Sequence, residues 1–185
     1  MTSPTAGLEF EDREQWRKWL EKNYATETEA WLILYKKKYQ DQGLTLDEAV
    51  EEALCFGWID GILKSIDEKR YALRYSPRTP NSLWSMNNIR RVDKLIAEGK
   101  MTRAGYQKIA EAKGNGEWEA AKRREQVDKI PKELESELRK VSGALAAYRA
   151  LPVARKKQYI YWLQSAKREE TKRRRIQKIV GEVLG

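Results

Sequence analysis

Residues 55–61 read Cys-Phe-Gly-Trp-Ile-Asp-Gly, and residues 75–88 read Tyr-Ser-Pro-Arg-Thr-Pro-Asn-Ser-Leu-Trp-Ser-Met-Asn-Asn. Between these segments, residues 62–67 and 70–76 alternate around Leu63, Tyr71, Leu73 and Tyr75, the period-two pattern of two strands joined by a turn at Asp67-Glu68-Lys69-Arg70. Just upstream the spacing is helical. Leu46, Ala49, Val50, Ala53 and Leu54 share one helix face, Thr45 and Glu48 make a capping box at its start, and Gly57 is placed to end it in a left-handed conformation. Helical spacing returns at Leu83, Met86, Ile89, Val92, Leu95 and Ile96, with Asn81 or Ser82 as cap and Gly99 as the stop. The stretch therefore predicts an α+β fold whose small sheet is mostly antiparallel.

Working outward, Trp16, Trp19 and Leu20 mark an amphipathic helix that follows Glu11-Asp12 and ends near Asn23, after a short lead expected to be disordered. Residues 30–38 read as a third strand, its end marked by three lysines that guard an edge. A helix from Thr102 to about Lys113 runs into Gly114-Asn115-Gly116, the strongest break in the chain. Beyond it every period is helical: 131–140, then 142–150 capped by Ser142, then 152–167 with Pro152 in its first turn, then 169–184. The organisation expected is an α+β lobe over residues 1–120 followed by an all-helical, basic lobe over 121–185, packed as one compact unit.

The chain of 185 residues has one Cys and no His. An internal disulfide, the usual Cys/His zinc site and every histidine-based nucleophilic mechanism are thereby excluded. Cys55 sits between Leu54 and Phe56, the setting of an inert buried thiol. No apolar run approaches the roughly 20 residues that span a bilayer, and the N-terminal residues lack the basic and apolar regions of a signal peptide, so no membrane insertion and a cytoplasmic location are expected. Charge is unevenly placed. Residues 1–121 carry 19 Lys/Arg against 20 Asp/Glu, and residues 122–185 carry 18 against 8, so the last third alone makes the protein basic. That asymmetry points to an acidic partner, and a solvated helical surface explains it as well.

Two prolines hold residues 77–80 stiff, so Arg78 is expected to project from a rigid loop in a way that suits bidentate anion capture. Ser82, Ser85 and Asn87 lie in the first turn of the helix expected next, where free N–H groups favour anions. With Asp60, and with Trp58 and Trp84 as apolar walls, these residues make one side of a candidate binding site. Lys167, Thr171, Arg174 and Arg175 of the C-terminal lobe are its other side, across a cleft. No catalytic constellation, metal site or cofactor is expected, because a single carboxylate without a partner is thin support for chemistry.

Ala53 to Gly61, Tyr75-Ser76-Pro77-Arg78, Ser82 to Asn87 and the Met101 to Gly105 turn resemble the YdeI/OmpD-associated family, also called bacteriocin-protection proteins. Tyr159-Ile160-Tyr161-Trp162, Ala166-Lys167, Glu170-Thr171-Lys172 and Arg174-Arg175-Ile176 resemble the same family's second motif, and together they cover most of residues 8–184. Where that motif usually has Glu-Thr-Arg, this chain has Glu-Thr-Lys, which removes a planar bidentate group. The resemblance implies a small bacterial cytosolic protein linked to stress or bacteriocin tolerance, with no established reaction. Three readings follow: a domain binding an anionic small molecule in the cleft, a structural or protein-interaction module latched by internal ion pairs, and a nucleic-acid binder acting through the basic C-terminal third without reading sequence.

Overall fold

The computed structural model describes residues 7–185, so the lead expected to be disordered lies outside the described residues. The chain is α+β and divides into two compact units, Met1–Trp118 and Glu119–Gly185.

In the first unit, helix α1 (Arg13–Asn23) starts where the Asp12 carboxylate accepts from the Gln15 N–H, and it buries Trp16 and Leu20. Strand β1 (Ala30–Tyr35) leads through a 3₁₀ segment (Lys37–Gln42) to α2 (Leu46–Cys55), whose Thr45–Glu48 capping box is formed. Gly57, at φ +74°, then reverses the chain straight into β2 (Trp58–Ser65), which pairs with β3 (Arg70–Pro77). The sheet order is β1-β3-β2, antiparallel throughout. A bridge from Leu8 covers the outer edge of β1, donating to Trp31 O (2.7 Å) and accepting from Ile33 N (2.8 Å). The outer edge of β2 is open among the described residues, and its register breaks between Asp60 and Leu63.

Leu32, Leu34, Leu73 and Tyr75 are buried in the sheet, and α1 packs on it through Trp16, whose ring lies 5.7 Å from that of Tyr75. The Trp16 indole donates to Ala49 O of α2, so this buried aromatic has its one polar atom satisfied. Large side chains buried to this degree contribute about 1.5–3 kcal/mol each. Helices α3 (Met86–Ala97) and α4 (Arg103–Gly114) follow, and α5 (Glu117–Arg124) was not anticipated from the sequence.

Three expectations are corrected. The strand expected over 62–67 begins at Trp58 and ends at Ser65, because Gly57 makes the reversal by itself. The helix after the hairpin begins at Met86 and is capped by Ser85, which accepts from Asn88 N at 3.1 Å; neither Asn81 nor Ser82 caps it. Pro77 and Pro80 hold the preceding residues extended, and Ser82 accepts from Thr79 N within that loop. Arg78 does not project: it is only 3% exposed.

The second unit is helical: α6 (Lys132–Lys140), α7 (Ala144–Ala150), α8 (Val153–Gln164) and α9 (Glu169–Glu182) close around Leu134, Leu138, Tyr148, Tyr159, Leu163 and Ile179. Gly143, at φ +79°, precedes α7 in the position the sequence assigned to Ser142. No helix among the described residues is long and apolar enough to cross a membrane.

Candidate functional site

The β2–β3 ladder runs Asp60 opposite Tyr75, Ile59 opposite Ser76 and Trp58 opposite Pro77, and Arg78 N extends it by donating to Gly57 O at 2.9 Å. The backbone thus sets Arg78 one step beyond the paired strands, two ladder positions from the Ser76 level and three from Asp60. Its guanidinium carbon lies 3.7 Å from the Trp84 ring centroid, a cation–π contact. Trp84 in turn packs on Trp118 at 5.1 Å, and Lys113 lies 5.2 Å over Trp118. One guanidinium nitrogen, Nη1, donates to Leu83 O at 3.2 Å. The other edge, Nε and Nη2, is buried and meets no hydrogen-bond partner among the described residues.

Burial pulls the Arg78 pKa down to about 10, and the Asp60 charge only partly offsets that. The guanidinium stays charged at neutral pH. Tyr75 OH is a second buried group with no hydrogen-bond partner among the described residues, and burial, then the nearby Asp60 charge, push its pKa well above the ordinary value. Asp60 lies opposite Tyr75 in the ladder and its charge reaches Arg78, whose guanidinium is walled by Trp84.

The other residues singled out in the sequence have local roles. Trp58 is 1% exposed and donates to Tyr24 O at 3.2 Å, a core position. Ser82 and Ser85 have their oxygens engaged in the loop and the α3 cap, while Asn87 is exposed and accepts from Arg90. In the second unit Lys167 and Arg174 are exposed and Thr171 is half-buried. Arg175 is tied to its own unit: it donates to Trp162 O and to Ser165 Oγ, and lies 5.1 Å over the Trp162 ring. A groove of about 620 Å³ between α6 and α9 carries both signs of charge, with Lys172 paired to Glu133 at 2.8 Å and Gln177 donating to Glu137. Its charges are solvent-exposed or paired, whereas the Arg78 guanidinium is buried, so the Arg78 cluster is the better candidate.

Sequence reasoning missed Tyr75, read only as strand core, and missed a buried ion network on α2. Glu52, 2% exposed, accepts from Arg13 (2.5 Å) and Arg17 (2.7 Å), and Glu51 pairs with Arg13 (3.3 Å) and Lys94 (2.9 Å). The available signal was two adjacent acids inside the apolar run from Ala49 to Phe56. Among the described residues no group of three or more His, Cys, Asp or Glu is placed to hold a metal ion.

Residues 129–184 match the family described as bacteriocin-protection, YdeI or OmpD-associated, and residues 8–108 match a domain of unknown function (DUF8412). Searches of curated proteins and of solved structures returned no match. The first of these segments holds the C-terminal motif, and the second, which spans more than half of the chain, holds Asp60, Tyr75, Arg78 and Trp84: the chain belongs to the DUF8412 family, and its C-terminal part is similar to the YdeI/OmpD-associated family.

Proposed function

We propose that the first unit binds a small anion at the Nε–Nη2 edge of Arg78. The observation that carries this is a buried, charged guanidinium with two donors unmet. Nε–H and the adjacent Nη2–H point the same way, the fork that takes both oxygens of a carboxylate or phosphate. Leaving such a group unpaired costs several kcal/mol, and a bound anion removes that cost. Trp84 holds the plane of the guanidinium, so the fork is oriented before a ligand arrives.

The test is thermal stability of the full chain with acetate and inorganic phosphate at low and moderate salt. An anion at a hundred times its dissociation constant adds about 2.7 kcal/mol of stability. That gain is expected to survive moderate salt and to vanish in Arg78→Lys, which keeps the charge and loses the fork. If no anion stabilises the wild type and the apolar Arg78→Met is more stable than it, the edge is internal structure and the proposal fails.

The exposed Lys167, Arg173 and Arg174 favour a second reading, sequence-independent nucleic-acid binding by the second unit. Duplex binding that weakens steeply with salt and with Arg173→Ala, but not with Arg78→Lys, supports it. A role in bacteriocin protection rests on the family description, and loss of tolerance on removing the gene, restored by the wild-type chain, is the result that bears it out.

A further inference from the structure

Two tyrosines in the core of the second unit differ in how their hydroxyls are satisfied. Tyr148 of α7 and Tyr159 of α8 lie with ring centroids 6.3 Å apart and planes 24° from parallel. Tyr159 OH donates to Glu182 at 2.7 Å, whereas Tyr148 OH is buried and meets no hydrogen-bond partner among the described residues. Tyr148 lines a cavity of about 340 Å³ within that unit, together with Val127 and Ile130 of the segment before α6, Lys156 near the start of α8, and Asp128 and Arg149. Small-molecule sites occupy about 300–1,000 Å³, so the space suits a ligand of a few heavy atoms. Val127 is buried and Ile130 half-buried against the core, which makes one wall apolar. Lys156 is half-buried, and its ammonium meets no carboxylate among the described residues. Arg149 is exposed and reaches Glu135 at 3.8 Å, and Asp128 is exposed, so both are screened by water and salt more than Lys156 is.

We infer that this cavity binds a small monocarboxylate with a short apolar body: the carboxylate accepts from Tyr148 OH and pairs with the Lys156 ammonium, and the body lies on Val127 and Ile130. Arg78 belongs to the first unit and takes no part. A buried hydroxyl without an acceptor is costly, and a ligand oxygen removes that cost. Burial pushes the Tyr148 pKa up to about 12, so at neutral pH the phenol keeps its proton and donates. Two cations against one anion leave the lining with one net positive charge, which a monoanion neutralises. A phosphate dianion would overshoot it beside Asp128 and would leave the apolar wall uncovered.

The experiment titrates the full chain with butyrate, with its uncharged isostere butyramide and with inorganic phosphate. Backbone amide shifts in nitrogen-15 NMR locate binding: Val127, Tyr148 and Lys156 report this cavity, and Thr79 and Leu83 report the Arg78 edge. Butyrate is expected to move the cavity amides and to bind about tenfold or more tighter than butyramide, the factor expected of a charge-assisted contact. Tyr148→Phe removes an unmet buried hydroxyl, so it is expected to fold at least as stably as the wild type and to weaken butyrate about tenfold. Lys156→Met, which keeps the stem and removes the charge, is expected to weaken butyrate by a similar factor and to leave butyramide unchanged. Equal binding of butyrate and butyramide, tighter binding of phosphate at the cavity amides, or undiminished butyrate binding in either variant overturns the inference. Butyrate shifts at Thr79 and Leu83 with none at the cavity amides also overturn it, and they leave the Arg78 reading standing.

Discussion

Glu52 and Arg78 are both buried charges, and they have opposite histories of compensation. Glu52 receives two guanidinium groups from α1, so its desolvation is offset by charge and by hydrogen bonds. Removing it takes away the shortest contacts of Arg13 and Arg17, which keep only Glu51 at 3.3 Å and Glu21 at 3.4 Å as ion partners. Glu52→Ala is expected to destabilise the chain by about 1.5–3 kcal/mol in urea unfolding, the range for lost hydrogen bonds to a charged group, because the two arginines are partly exposed and keep other partners. Cys55, beneath the same network, has its thiol pushed up to about 11 from an ordinary 9.0, first by burial and then by the Glu52 charge. A raised pKa means the folded state holds the proton more tightly. The stability this confers is complete below about pH 9 and is lost as pH rises through 11. Native protein at pH 8.5 is therefore expected to react with thiol reagents no faster than it unfolds, which timed labelling with and without urea measures.

Among the elements, the contact of α4 with α2 is the least forgiving. A Cβ on Gly105 would lie 2.5 Å from Cys55 O, 2.9 Å from Leu54 O and 2.3 Å from Met101 S, and the two carbonyls are backbone that cannot swing aside. Gly105→Ala is expected to cost about 1–3 kcal/mol or more by overpacking, and thermal unfolding reads it. Thr102 Oγ1 donates to the same Cys55 carbonyl at 2.6 Å, so the helix start is tied down where the glycine lets it approach. Most elements were legible from period and caps: the Thr45 box, Gly57 and Gly99 each do what their types allow. The start of α3 was not, because three residues able to cap, Asn81, Ser82 and Ser85, lie within five positions, and the turn that bonds Ser82 back to Thr79 leaves the last as the cap. Arg78 was recognised as a residue of interest for its prolines, but burial depends on Trp84 folding onto it with Trp118 packed on Trp84, and that is tertiary packing with no local signature. Tyr75 lost its polar role to the strand alternation that located it.

Over the whole molecule, the charge asymmetry maps onto the two units. Side chains of the first sum to zero, 19 cations against 19 anions, and those of the second carry 18 against 9. Self-repulsion within the second unit is screened when salt rises from about 0.01 to about 0.1 M, as the Debye length falls from about 30 to about 10 Å. Amide exchange at Leu138 and Ile179 is expected to slow over that range. At Trp16 and Leu32, in the unit where opposite charges are paired, it is not expected to slow. The open edge of β2 has a bearing on how the protein behaves when concentrated. Residues 61–65 are exposed, with Ile62 at 51% and Leu63 at 59%, the composition that recruits a strand from another molecule. The register break after Asp60 divides that edge into runs of three residues that are out of step with each other, and Lys64 adds a charge to the second. A neighbouring chain can align with one run only by misaligning with the other, so the irregularity works against fibre growth and precipitation without any change to the core.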